Sequence, residues 1–371
     1  VSDMCDIDKL GHQDDRAILE LYRRILLQLY EQVESRAAGL ILPMSEQDLQ
    51  DKKGISFKRH PLRFARALRM IAESACAVVK KTFVNIRSLY YTAPSLYGSQ
   101  VQSNVLIAEF CFGYSIEREM MHYRAAAKGL LLGNCTMVTQ VGTVTASSLV
   151  AVPISPHFFY LQQIHTDAQF VLVIEKDTVF EHLIDSYEAI KDRLGQSFMV
   201  ITGKGYPDAA TRALVSFLDS CRIPIFGLAD GDAHGMNILC TYAYGSASAT
   251  RKSVVPNHYI APSLVPIGVF SSHIQRSSKA IKGSRHCDPA DLKLYDILIT
   301  RLTALGRLEW ANEVQNLAAL GMQYELETIL GQEGGLVSYV VETVVGVRKR
   351  ICNFDNKCTA TRLAGARANS S

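Results

Sequence analysis

The hydrophobic pattern divides the chain into two regimes. In residues 170–245, short unbroken apolar runs alternate with stretches in which apolar positions recur every three or four residues. Phe170-Val-Leu-Val-Ile174, Phe198-Met-Val-Ile-Thr202 and Ile223-Pro-Ile-Phe-Gly-Leu-Ala229 have strand length. Between them, Phe180, Leu183, Ile184, Tyr187 and Ile190 share one helical face, and Ala213, Leu214, Phe217 and Leu218 share another. Apolar strands alternating with amphipathic helices predict a parallel sheet covered on both faces. Upstream the pattern is helical. Ile18, Leu21, Tyr22, Ile25, Leu29 and Val33 form a stripe over residues 13–36, and Phe64, Leu68, Ile71, Ala75 and Val78 form another over 63–81. A polar stretch ending at Gly54 separates the two, and the first stripe must bury itself on its own domain or on a partner protein. Shorter helical pieces over 105–112 and 116–123 lead into a β-rich stretch from Thr136 to Ile154. Several short helices closed by a two-stranded ribbon predict a winged helix.

Each apolar run of the second regime ends in residues that chemistry can use: Glu175-Lys-Asp177, Gly203-Lys-Gly-Tyr-Pro-Asp208 and Asp230-Gly-Asp-Ala-His-Gly235. Parallel sheets place their sites at the carboxyl ends of strands, so Glu175, Asp230 and Asp232 are expected in one crevice. Clustered carboxylates repel one another unless a cation or shared protons offset the charge. Oxygen ligands without His or Cys at metal spacing favour a hard ion, which makes magnesium the expected cofactor. The competing reading is that acids after strands cap the following helices, as Asp177 and Asp208 are placed to do. For Glu175 together with an Asp-x-Asp on a second strand, metal binding is the stronger expectation.

Composition narrows the class. At 371 residues, with 48% hydrophobic and 20% charged positions, the chain is long enough for two or three domains with cores of their own. A net charge of +3 permits nucleic-acid binding without demanding it. Lys80, Lys81, Arg87, Arg118, Arg124 and Lys128 are spread through the helical part, as a phosphate-facing surface or a solvated face would have them. The pattern contains no apolar run of transmembrane length and no signal-peptide signature, so no membrane partner is expected. Nine cysteines without a C-x-x-C pair suggest neither a zinc site nor a disulfide framework, and point to a reducing compartment. There is no G-x-x-x-x-G-K-[ST] loop, so any ATP dependence must come from another protein. After an apolar run from Leu336 to Val347, Arg348-Lys-Arg350, Lys357, Arg362 and Arg367 mark a basic tail, suited to DNA contact, nuclear import or plain solvation.

Five motifs in order carry a family resemblance. These are Arg87-Ser-Leu-Tyr-Tyr-Thr-Ala-Pro-Ser-Leu-Tyr-Gly98, Lys128-Gly-Leu with Gly133-Asn134, Val173-Ile-Glu-Lys-Asp177, Gly203-Lys-Gly-Tyr-Pro-Asp208 with Thr211-Arg212, and Asp230-Gly-Asp-Ala-His-Gly235 with Tyr244-Gly-Ser246. Over residues 60–335 the chain resembles the meiotic DNA double-strand-break proteins related to the A subunit of topoisomerase VI, a type IIB topoisomerase; Gly321-Met-Gln-Tyr-Glu-Leu-Glu327 resembles the family's late glycine-and-glutamate helix. The resemblance implies an α/β fold with an α+β part, in which a winged-helix (CAP-like) domain precedes a Toprim domain with a parallel sheet. It divides the chain into an N-terminal helix and linker over 1–57, a winged helix over 58–155, a Toprim domain over 156–340 and a basic tail over 341–371.

By the same resemblance, Tyr91 is the nucleophile that becomes linked to a DNA 5′ end, Arg87 assists it, and Glu175, Asp230 and Asp232 hold magnesium. Lys128, Lys204 and Tyr206 would contact double-stranded DNA. A phenol with a pKa of about 10 is a poor nucleophile at neutral pH, so a neighbouring cation has a role. The implied assembly is a nuclear homodimer in which the tyrosine of one protomer faces the metal site of the other. Its implied partner is a topoisomerase VI B-like subunit, with residues 13–36 as the docking surface. The chain departs from the family pattern at Ala233, where proline is usual, at Gly231, which predicts a looser acidic loop, at Ser88, where an acid commonly follows the arginine, and at Ile267-Gly-Val-Phe270, which lacks a tryptophan often found there. Two rivals remain on this footing: a Toprim nuclease that activates water, and a catalytically silent DNA-binding scaffold.

Overall fold

The computed structural model describes residues 7–37, 39–124, 126–139, 142–245, 259–276, 285–330 and 335–347. The described chain forms two compact units, residues 7–127 and residues 128–245 with 259–347. The first unit is helical. Its long helices are Ile7–Glu34 (α1), Pro61–Val79 (α2) and Gln100–Tyr114 (α4), with the short helix Ile86–Thr92 (α3) between the last two. A parallel pairing of Val84–Asn85 with Tyr123–Arg124 ties the chain entering α3 to the end of the unit.

The stripe of α1 is buried on its own unit. Ile18, Tyr22 and Ile25 pack with Phe64, Met70, Ile71, Leu89 and Phe110 in one core. Polar contacts fix the register: Tyr22 and Ser74 share a hydrogen bond of 2.5 Å, and the His122 ring lies 2.8 Å from Asp15. Val33, at the end of the expected stripe, is exposed, as are Leu26, Leu27 and Tyr30 on other faces of α1.

The second unit is built on a six-stranded sheet. Its strands are Leu130–Leu132 (β1), Val152–Pro153 (β2), Val171–Ile174 (β3), Met199–Thr202 (β4), Ile225–Leu228 (β5) and Val265–Gly268 (β6), in the spatial order β6-β5-β3-β4-β1-β2. Strands β4, β3, β5 and β6 run parallel, as the unbroken apolar runs predict, with Ile174 level with both Thr202 and Leu228. Helices Asp177–Leu194 (α5), Ala209–Ser220 (α6) and Ala233–Tyr244 (α7) follow β3, β4 and β5, and Pro289–Ala304 (α8) and Leu308–Leu320 (α9) complete the layers. Phe170, Leu172, Phe180, Phe198, Val200 and Phe226 form the centre of the core.

Two expected boundaries move. The sequence places residues 128–155 in the first domain, but β1 joins the parallel sheet, pairing antiparallel with β4 from Leu130–Thr202 to Leu132–Val200. The ribbon of Cys135–Thr139 and Gly142–Ala146 pairs onward with Leu161–Thr166 in the second unit. Alternation identifies such strands without identifying the sheet they join. Gly129 makes the junction possible, because a Cβ there would fall 2.1 Å from Thr211 Oγ1. At the other end, residues 335–347 are helical, with Val340, Val344 and Val347 buried in the core, so residues 341–347 belong to the folded unit and not to a basic tail. The basic cluster from Arg348 onward lies outside the described residues.

The burial of α1 has a measurable consequence. Ile25→Ala, which empties a fully buried position, is expected to destabilise the first unit by about 2–5 kcal/mol in chemical denaturation, whereas exposed Leu27→Ala changes it by less than about 0.5 kcal/mol.

Candidate metal centre and nucleophile

The ends of β3 and β5 lie side by side, and both continue into acids. Glu175 N donates to Leu228 O at 3.1 Å, and Gly205 N donates to Glu175 O at 2.8 Å, which holds the three strand ends together. The Glu175 carboxylate accepts from Asp230 N at 2.9 Å. Asp230 accepts from Leu326 N at 2.9 Å through Oδ1, while Lys176 Nζ lies 3.0 Å from its Oδ2. Asp232 is the N-cap of α7 and accepts from Gly235 N at 2.8 Å. The capping alternative therefore describes Asp232, as it does Asp208 on α6, although capping occupies one carboxylate oxygen and leaves the other. Asp177 follows the N-cap position and instead pairs with Lys204 at 2.9 Å.

Glu175, Asp230 and Asp232 retain 8%, 6% and 9% of their exposure, so their charges are nearly stripped of water. Burial, reinforced by the charge of Asp230, pushes the Glu175 carboxyl up to about 8. Burial likewise raises Asp230 to about 6, against the pull of Leu326 N–H and Lys176, and it raises Asp232 against the Gly235 N–H. Among the described residues no group of three or more His, Cys, Asp and Glu side chains is arranged as a ligand set, and the acids are committed to the backbone and to Lys176. The donors nevertheless fit a hard divalent cation: they are all carboxylate oxygens, desolvated, and mutually destabilising unless positive charge is supplied.

The acidic loop is tightly tied despite its glycines. Gly231 N donates to Tyr324 O at 2.8 Å, and a Cβ at Gly231 would meet Val269 at 3.2 Å. At Gly235 a Cβ would fall 2.3 Å from Asp230 O, so the first turn of α7 approaches the loop closely enough to require glycine. Ala233 is buried at the first helical position, a position that proline commonly takes in helices. These contacts act against the looseness expected at Gly231.

The three expected DNA-contacting residues flank this crevice. Lys204 adopts a left-handed conformation, φ 52°, in which its N–H reaches Thr202 Oγ1 at 3.1 Å. Lys128 Nζ donates to Lys204 O at 2.8 Å. Tyr206, 42% exposed, accepts from Asn237 Nδ2 at 2.8 Å and lies 3.3 Å from His234 Nδ1. The other ring nitrogen of His234 is 3.6 Å from the buried carboxylate of Asp291, which itself accepts from Gln323 at 2.6 Å. Asn237, Asp291, Gln323, Lys176 and Glu327 complete the surroundings; Lys176, Gln323 and Glu327 fall inside motifs named from the sequence without a role assigned to them, whereas Asn237 and Asp291 reach the crevice from positions whose spacing carries no signal.

In the first unit, α3 carries Arg87 and Tyr91 one turn apart, on the same exposed face. Asn85 caps the helix by accepting from Arg87 N at 2.9 Å, and Leu89 is fully buried beneath it. Tyr90 packs against the core, with its ring 5.3 Å from that of Tyr91. Tyr91 is 65% exposed, and its hydroxyl has no hydrogen-bond partner among the described residues.

Comparison with known proteins matches both units. A family profile for the Toprim domain of the topoisomerase 6 A-subunit and Spo11 proteins matches residues 170–343, and one described as "Type IIB DNA topoisomerase" matches residues 62–122. The chain belongs to the topoisomerase VI A-subunit/Spo11 family. It is 29% identical over 272 residues to the "Meiotic recombination protein SPO11" of Homo sapiens, covering 72% of this chain and 67% of that protein. It is 30% identical over 273 residues to the "Meiotic recombination protein spo-11" of Caenorhabditis elegans, covering 71% and 61%. To the A3 subunit of DNA topoisomerase 6 from Oryza sativa subsp. indica it is 27% identical over 264 residues, covering 67% and 58%. The matched stretch thus spans 58–67% of the length of these relatives. A Toprim domain of this family generally binds divalent metal ions, which agrees with the donor chemistry at the strand ends. Among the described residues no helix is long and apolar enough to cross a membrane.

The buried acids make stability depend on pH. An acid whose pKa is raised by folding releases its proton first in the unfolded chain, so stability falls as pH rises between the two values. For Glu175 and Asp230 that window runs from the ordinary carboxylate range to about 8 and about 6. In chelator, wild-type protein is expected to lose thermal stability from pH 5 to pH 8. Glu175→Gln should flatten this decline, and added Mg2+ should raise the wild-type melting temperature more at pH 8 than at pH 5.

Proposed function

We propose that this chain is a metal-dependent DNA transesterase that makes double-strand breaks through a 5′-phosphotyrosyl linkage and so initiates meiotic recombination. The observation that carries the proposal is the display of Tyr91. A tyrosine pair in a helix is ordinarily packed for its apolar area, and Tyr90 behaves in that way. Tyr91 instead presents its hydroxyl to solvent one turn from the Arg87 guanidinium, within the stretch matched by the type IIB topoisomerase profile.

In this reading the Tyr91 oxygen attacks the scissile phosphorus, a Tyr91 O–P bond forms, and the bond from phosphorus to the 3′ oxygen breaks. The phenol loses its proton and the departing 3′ oxygen gains one, so one phosphodiester replaces another without hydrolysis of ATP. Arg87 stabilises the phenolate and the charge that gathers on the phosphoryl oxygens. Glu175, Asp230 and Asp232 would hold a divalent cation, magnesium in the first instance, which supplies Lewis-acid polarisation of the phosphate and offsets charge on the leaving oxygen. Lys128, Lys204 and Tyr206 contact the DNA backbone or groove, with Tyr206 oriented by Asn237. The active form is a homodimer on double-stranded DNA in the nucleus, and a topoisomerase VI B-like subunit provides any ATP dependence. Residues 58–127 then form the winged-helix part and the second unit the Toprim part.

The test is to incubate end-labelled duplex DNA with wild type and Tyr91→Phe in Mg2+, with a B-like partner present. Wild type is expected to become covalently attached to DNA 5′ ends, and Tyr91→Phe to lose attachment and cleavage by at least about 100-fold. Cleavage that persists in Tyr91→Phe without attachment would instead identify a water-activating nuclease. Purified DNA binding without cleavage by either, at full partner occupancy, would identify a scaffold.

A further inference from the structure

The proposed metal crevice already contains a cation of its own. Lys176 Nζ lies 3.0 Å from Asp230 Oδ2 and 2.7 Å from Glu327 Oε2, with Glu325 Oε2 at 3.8 Å. Glu327 is itself held in place, accepting from Thr178 Oγ1 at 3.0 Å. The segment that carries it is stitched to the acidic loop through Tyr324 O and Leu326 N. Lys176 therefore stands between a candidate metal ligand and a fixed alternative acceptor.

We propose that Lys176 is the internal counter-ion of the crevice, and that a divalent cation binds by displacing its ammonium from Asp230 onto Glu327. The inference rests on the metal reading of the three acids. An Mg2+ ion needs its oxygen ligands at about 2.1 Å, so at Asp230 it competes with the Lys176 ammonium, 3.0 Å from Oδ2, for the same carboxylate charge. Two positive charges at that separation in a desolvated site repel strongly. The displaced ammonium has a short path, because Glu327 already shares it and Glu325, more exposed, lies just beyond. The acids near residue 326 thus act as a receiving site that makes exchange possible without leaving the half-buried lysine unpaired. Metal affinity is then set by a competition between Lys176 and the cation for one carboxylate.

Isothermal titration of the full chain with Mn2+ and Mg2+ tests the exchange. Lys176→Met is expected to bind at least tenfold more tightly than wild type, Glu327→Gln at least threefold more weakly, and Glu175→Gln without measurable affinity. A second arm uses wild type alone: labelling of Lys176 by an amine-reactive reagent, read by mass spectrometry, should rise at least threefold on adding Mn2+. That arm remains decisive if the methionine variant fails to fold. Metal uptake by wild type with unchanged Lys176 labelling, or with equal affinity in Lys176→Met, overturns the displacement and leaves the metal reading standing. No uptake by wild type or any variant overturns both.

Discussion

Glu175 and Asp230 lie side by side at the ends of neighbouring parallel strands, each with less than a tenth of its surface exposed, and the second unit is arranged around the charge they carry. Ionised carboxylates stripped of water are costly unless hydrogen bonds and positive charge compensate. Here the backbone supplies the hydrogen bonds through Asp230 N, Leu326 N and Gly235 N, and Lys176 supplies the charge. Residues 324–327 return to this point from far along the chain to complete the shell. A buried apolar sheet makes such a site possible, because the strands beneath the acids are covered on both faces and fix where the acids emerge.

The first unit meets the opposite problem, that of presenting a tyrosine side chain to solvent from a helix too short to be stable alone. The helix Ile86–Thr92 is held by what lies beneath and before it: Leu89 fully buried, Tyr90 against the core and Asn85 as cap. With its inner face anchored, the outer face can carry Arg87 and Tyr91 a turn apart. Anchoring is what converts an aromatic pair into one packed ring and one available hydroxyl.

Relatives with a meiotic name and a relative with a topoisomerase name both match this chain. In the proposed reading, the strand-end acids and the exposed tyrosine serve the cleavage step, which both roles would share. Whether the ends are rejoined depends on holding and releasing DNA, a property of the assembly.

The alternation of unbroken apolar runs with helical stripes was enough to specify the parallel sheet, because strands buried on both faces and helices buried on one leave periodicities that no loop produces. The same pattern placed Glu175, Asp230 and Asp232 at strand ends, and the family motifs singled out Arg87 and Tyr91. Tertiary structure decided what periodicity cannot express. It took Leu130–Leu132 and the ribbon after it into the second unit, since a strand's alternation does not name its partner. It buried α1 on its own unit and drew residues 335–347 into the core. It also brought Lys176, Glu327 and Asp291 to their places, because charges meet through distant segments whose spacing in the chain bears no relation to their distance in space.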